Sequence, residues 1–441
     1  MKKIILGLLF TAQAWGLTCS APVTVAEMAS IGNSTVILNE KGDAAVIWLE
    51  KDRQYAGYKS VVRDAEKGWS APELITWVDG HTPKASVFMN DEGTLFVGAK
   101  IEKNPARKTF FQVIKKEKNK PWSDAVDVLG PEDNFHSPDA CVFDPKGNAI
   151  FAGLQEEDPF KISSKALPWM FQYSHPSGQK ISTALPLFEK AFYSMFETLV
   201  MNKRGTCFAV TTGFEGAYHV IKGLWIEEGK PKGPSFSICK LRRGSLYTRF
   251  RGAVNAQKNG ALIWEKRSGP LALIEATVSV DEKWEEPVEL FGSSERLSSY
   301  CRPVIKIDDQ ENTMAVWAAW QEKACVVFAA YKPAGGPWGL PKVLSNPAKI
   351  NYKFSLKNVE GKFVVIWDEV EGKDASSVYG AVLDTSLYEW TSAVLSPLEQ
   401  KAWLPAFDLN EKGLGFISWT AEIEGKPQIQ IAELRLTLAE K

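Results

Sequence analysis

Histidine is nearly missing from this chain, with four in 441 residues. The four are scattered, and the six cysteines (Cys19, Cys141, Cys207, Cys239, Cys301 and Cys325) match no zinc-ligand spacing. No metal site is expected from them. Net charge is missing too: 52 Lys and Arg stand against 53 Asp and Glu. That balance gives no reason to expect nucleic acid or an anionic membrane surface as partner. No transmembrane segment is expected, because no apolar run approaches the roughly 20 residues that span a bilayer. Gly-x-Ser-x-Gly, His-Glu-x-x-His and phosphate-binding glycine loops are absent, and no cofactor is expected. Helical periodicity is almost absent as well.

The first apolar stretch has a different reading. Lys2 and Lys3 precede the short run Ile4 to Phe10, and "AQA" (Ala12 to Ala14) follows. This is the grammar of an export signal cut after small residues. The sequence therefore predicts a signal and leader over 1–19 and a single domain over 20–441. The destination is periplasmic, cell-surface or extracellular. Lipid anchoring at Cys19 is the alternative, but "GLTC" lacks the small residue usual before such a cysteine.

What is present in quantity is repetition. "LNEKGDAAVIW" at 38 returns as "MNDEGTLFVGA" at 89, "FDPKGNAIFAG" at 143, "MNKRGTCFAVT" at 201 and "NAQKNGALIWE" at 255. "IDDQENTMAVW" at 307, "KNVEGKFVVIW" at 357 and "LNEKGLGFISW" at 409 complete the series. The spacing runs from 49 to 58 residues. In each copy an apolar run enters a polar turn, and a second run leaves it that is apolar on both faces, as a doubly covered strand must be. A third run follows, and then a fourth such as "GWSAPELI", "KWEEPVEL" or "PWGLPKVL". Four antiparallel strands in about 50 residues, repeated along the chain, predict an all-β fold, a β-propeller. The count is eight blades, with seven the alternative.

The same register accounts for much of the tryptophan. Trp48, Trp264, Trp317, Trp367 and Trp419 end second strands, and Trp69, Trp122, Trp284, Trp338 and Trp390 open fourth strands. Recurrence at fixed repeat positions predicts packing between blades. The last copy lacks a fourth strand, while "SAPVTVA" (Ser20 to Ala26) is left over at the N-terminus and matches "GWSAPEL". It is predicted to close the ring, removing open sheet edges.

These units resemble secreted bacterial β-propellers with sialidase-like blades, whose repeats run Asp-x-x-Gly-Asn-Ala, Trp, then Trp-Ser-x-Pro. "DPKGNAIFA" and "GWSAPELI" carry the likeness, over essentially the whole mature chain. The Asp-box of true sialidases and their Phe-Arg-Ile-Pro motif do not occur. The resemblance implies an architecture that hosts hydrolases, lectins and scaffolds alike.

Candidate site residues follow from where such folds gather their loops. His81 and His136 each stand two residues before a proline at matching points of neighbouring copies. Arg249, Arg251, Tyr300, Arg302 and Trp403 also lie at the starts of first strands. An acid follows nearly every second strand: Glu50, Glu102, Glu156, Glu215, Glu265, Glu322, Glu369 and Glu422. These acids are expected to form a solvated face. The arrangement predicts a binding or scaffold module that takes a protein or carbohydrate ligand on the lead-in face. The alternative is a sialidase-like glycoside hydrolase or lyase. That enzyme would need the three arginines, a tyrosine such as Tyr247 or Tyr300, and Glu197 in one pocket, with the tyrosine hydroxyl beside the carboxylate.

Overall fold

The computed structural model describes residues 16–27, 33–51, 56–78, 85–103, 108–129, 135–155, 167–173, 185–186, 194–242, 244–294, 297, 302–371, 375–397 and 400–438. All regular structure there is strand, arranged in eight antiparallel sheets of four or five strands. We number these sheets as blades 1 to 8 in chain order. Their first strands are Ser34–Leu38, Ala85–Met89, Phe135–Phe143, Ser194–Met201, Leu246–Val254, Val304–Ile307, Phe354–Val359 and Lys401–Leu409. Each first strand touches those of the neighbouring blades, and the strand of blade 8 touches that of blade 1. The first strands are therefore the inner wall of a ring, and the fold is a β-propeller.

The N-terminal chain completes blade 8. Val23–Glu27 pairs antiparallel with Gln428–Ile431. The blade begins earlier than the expected boundary after residue 19, because Leu17–Cys19 also pairs, Leu17 facing Leu436 and Cys19 facing Leu434. Leu17 and Cys19 are buried between blades 7 and 8. The repeated Ser-Ala-Pro has a bonding reason. Ser20 Oγ accepts the Glu433 N–H at 2.9 Å, while the Ser20 N–H donates to the Glu433 carbonyl at 2.9 Å. Ser70 clasps Val62 in the same two ways, and Ser123 clasps Lys115.

The core lies between the blades. Trp48, Trp264, Trp317, Trp367 and Trp419 are all at most 1% exposed, as expected of second-strand tryptophans. Trp264, Trp367 and Trp419 donate their indole N–H to Glu275, Glu369 and Gln430 at 3.0, 3.1 and 3.0 Å.

On the hairpin face, an amide belt links blades. The turn residue Asn255 accepts the N–H groups of Gln257 and Asn259 on Oδ1, which closes its own turn. Its Nδ2 is left to donate to the Asp308 carbonyl of blade 6 at 3.0 Å. Asn202 reaches the Asn255 carbonyl at 2.9 Å, Asn39 the Asn90 carbonyl at 3.1 Å, and Asn410 the Asn39 carbonyl at 3.4 Å. Asp308 closes its turn identically, but a carboxylate has no N–H to pass on.

Candidate functional site

The inner strands do not run straight to the lead-in face. Registers slip at the bulges Phe135/Ser137 and Pro138/Ala140 in blade 3, Phe196/Thr198 in blade 4, Thr248/Arg251 in blade 5 and Trp403/Ala406 in blade 8. A bulge breaks strict side-chain alternation and re-aims what it carries. In blade 5 the extra residues are Arg249 and Phe250. Arg249 adopts a left-handed φ of 58°, and Leu404 in blade 8 a φ of 55°. Phe250 then turns inward, fully buried and stacked on Trp264 at 5.5 Å. Arg249 and Arg251, two apart in sequence, take different tasks.

Arg249 Nη1 donates to Glu265 Oε1 at 2.6 Å. Glu265 is 1% exposed, and its Oε2 is buried without a hydrogen-bond partner. Burial raises its carboxyl above the usual glutamate range, against the fields of Arg249, Arg267 and Arg302. Arg251 donates to the Phe250 carbonyl at 2.9 Å. Burial and the like charge of Arg302 pull Arg251 below the usual arginine range, and Glu197 opposes them. Glu197 is the bulged residue of blade 4 and accepts the Thr212 hydroxyl at 2.8 Å. Arg302 itself is exposed at the start of blade 6. Three arginines and two carboxylates from blades 4, 5 and 6 therefore share one field.

The remaining candidates stand elsewhere. Trp403 is half-buried beside the bulge of blade 8, three blades from Arg249. His136 is passed over by the register of its strand in blade 3, and His81 and Tyr300 lie outside the described residues. The Tyr247 side chain hydrogen-bonds to the Ser245 side chain. It is buried, its ring 5.0 Å from that of His219, in the fields of Lys266, Glu275 and Cys239. The expected solvated acidic face also needs correcting at two positions. Glu265 and Glu369 are buried, one held by Arg249 and the other by the Trp367 indole and the Asn346 N–H at 2.8 Å.

A second anchor was not foreseen from sequence. Asp368, fully buried, accepts the N–H groups of Tyr352 and Lys353 on Oδ1 at 2.8 and 3.0 Å. Its Oδ2 accepts the Leu404 N–H at 3.0 Å, holding the bulge of blade 8 against blade 7. The signal available was an acid directly after a second-strand tryptophan.

No family model and no curated protein sequence matches the chain. Solved structures do. A polysaccharide lyase of family PL25, an ulvan lyase bound to -[GlcA(1-4)Rha3S]-, superposes with a TM-score of 0.52 at 10% identity over 79% of this chain and 93% of its own. A second structure of a PL25 ulvan lyase gives a TM-score of 0.51 at 10% identity, with the same coverage of both chains. An alpha-L-arabinanase from Penicillium chrysogenum, complexed with arabinobiose, gives 0.42 at 11% identity over 95% of this chain and 98% of its own. At 10% identity the two ulvan lyase likenesses establish the fold alone, a propeller of antiparallel blades.

Proposed function

We propose that this protein is a glycan-active propeller whose lead-in face binds an acidic polysaccharide and cleaves it, by elimination or hydrolysis. The observation that carries this reading is the cationic field that Arg302 adds to the half-buried Arg251. Two like charges in one field, one of them partly desolvated, repel each other, and a bound polyanion relieves that cost. A sugar carboxylate or sulfate offers paired acceptors suited to the guanidinium fork. The two carboxylates then divide the proton work. Glu265, buried with one unpartnered oxygen, keeps its proton to higher pH and serves as the acid. Glu197, held by Thr212, serves as the base. The ligand bound to the ulvan lyase contains an acidic sugar, which agrees with a cationic site on the same fold.

This reading favours the catalytic alternative over a passive scaffold. Tyr247 is given no nucleophilic part in it, since it is buried and hydrogen-bonded to the Ser245 side chain. An extracellular substrate also fits the export grammar of the first residues, and no helix of the described residues is long and apolar enough to cross a membrane. The test is to incubate purified mature protein with uronate-containing and neutral polysaccharides, following new reducing ends and the ultraviolet absorbance of an unsaturated uronate. Activity on the acidic set alone supports the reading. No binding or cleavage of any acidic glycan, with neutral glycans or proteins bound instead, overturns it.

A further inference from the structure

The inner strands of blades 6 to 8 carry a second charged cluster, on the inner wall of the ring. One position of each inner strand faces the residue three before the second-strand tryptophan or its counterpart. In blades 1 to 5 this position holds Ile37, Phe88, Val142, Val200 and Ala253. In blades 6, 7 and 8 it holds Lys306, Lys357 and Asp408. One level of the ring is thus apolar over five consecutive blades and charged over three.

The three charges do not balance. Lys357 Nζ bridges to Asp408 Oδ1 at 2.6 Å. Asp408 Oδ2 is taken by the Leu38 N–H at 3.3 Å. Lys306 has no ion-pair or hydrogen-bond partner among the described residues. It nevertheless feels both Lys357 and Asp408, and Asp408 belongs to a blade that does not adjoin its own. Blade 7 stands between them, and its Lys357 is the shared neighbour, on the same level of the ring as both. Lys353 of blade 7 also reaches past an intervening blade, its Nζ donating to the Ser34 carbonyl of blade 1 at 3.2 Å. A partly accessible ammonium with a cationic neighbour and no counterion is a half-built anion site.

We propose that the inner wall of the ring binds a small oxyanion between Lys306 and Lys357, with Lys306 as its principal ligand. The anion completes the charge balance that Asp408 only half supplies. It also ties blades 6, 7 and 8 together. Burial, reinforced by Lys357 and opposed by Asp408, pushes the Lys306 ammonium down to about 8. Binding should therefore fade as pH rises through that value, when Lys306 loses its proton.

Sulfate is the probe, because its charge stays constant over the range needed. Thermal unfolding is followed against sulfate at matched ionic strength, in the intact mature protein and in Lys306→Met, Asp408→Asn and the exposed control Lys203→Gln. The wild type and the control should gain melting temperature with sulfate near pH 7. Lys306→Met should fold, since an apolar side chain replaces a desolvated cation, and should weaken the apparent sulfate affinity by about tenfold or more. Asp408→Asn should tighten it by removing the competing carboxylate. The wild-type excess should vanish near about pH 9.5, where a proton no longer resides on Lys306. An acetate series separates the two sources of such chemistry: a response equal to that of sulfate assigns a carboxylate site, and sulfate alone assigns a dianion site. An identical sulfate response in wild type and Lys306→Met, or one that persists at high pH, overturns the proposal. Glycan cleavage is read separately and does not depend on this outcome.

Discussion

Ser20 and Ser70 make the same bonds in different blades, each clasping the N–H and carbonyl of one third-strand residue, Glu433 and Val62. The N-terminal strand thus stands where the fourth strand of the last repeat would. Deleting residues 20–26 should lower the melting temperature or cause aggregation, because blade 8 loses its outer strand and exposes an edge. Leu17→Ala should by itself cost ~3 kcal/mol, as buried leucine truncations do, since Leu17 is 1% exposed. Chemical denaturation of the mature protein measures both. A truncated form that melts like the intact one would refute the closure role.

The amide belt makes a finer prediction. Asn255→Asp keeps the turn-closing oxygen but loses the donor to the Asp308 carbonyl. It should cost ~1–3 kcal/mol, the range for a buried group left unsatisfied. Asn90 and Asp144 give the comparison. Asp144 already closes its turn through a carboxylate, bonding the Lys146 and Asn148 N–H groups at 2.9 and 2.8 Å. Asp144→Asn keeps those two turn-closing bonds and loses only the half-buried bond from the Asn148 side chain at 2.7 Å, so it should cost less than Asn255→Asp. Equal losses at 255 and 144 would show that the interblade donor is irrelevant.

Features that recur once per blade were legible in the sequence. The hairpins, the buried tryptophans and the closing strand all show as repeats. The amide belt recurs as well, in "LNEKG" at 38 and 409 and "MNKRG" at 201, but a turn asparagine in a sequence does not show which carbonyl of the next blade its amide reaches. What departs from the repeat was not legible. The two extra residues in blade 5 are Arg249 and Phe250; they take Arg249 out of the ladder while Arg251 stays in it, and alternation counted along the sequence cannot place a bulge. The acids after the second strands likewise look alike on paper. Glu322 is exposed whereas Glu265 and Glu369 are buried, because only the latter two have partners brought from elsewhere in the fold.

Trp367 and Trp419 test the packing claim. Each is at most 1% exposed and each indole N–H is bonded, to Glu369 and to Gln430. Substitution by alanine should cost ~3–5 kcal/mol. Glycan affinity of the surviving folded fraction should not change, because neither ring reaches the arginine cluster. Fluorescence quenching that finds these two indoles open to solvent would contradict the assignment.

The working face gives the sharpest contrast. Arg302 is exposed, so Arg302→Ala should alter stability by no more than about 0.5 kcal/mol while weakening an acidic glycan by ~1.5–3 kcal/mol, the range for a hydrogen bond to a charged group. Arg251→Ala should do the same with even less structural cost, because it removes a cation that burial and Arg302 both disfavour. Glu197→Gln should keep binding and lose turnover, since it retains the Thr212 contact but not the base. Glu265→Gln should also lose turnover, yet it leaves Arg249 without its 2.6 Å partner and so should lower stability as well. Exposed hairpin-face changes such as Glu411→Gln should affect neither quantity. Calorimetric binding and initial rates on one acidic polysaccharide separate these outcomes. If Arg251→Ala and Arg302→Ala bind as the wild type does, the cluster is a structural ion network and the proposed glycan-binding role of this face fails.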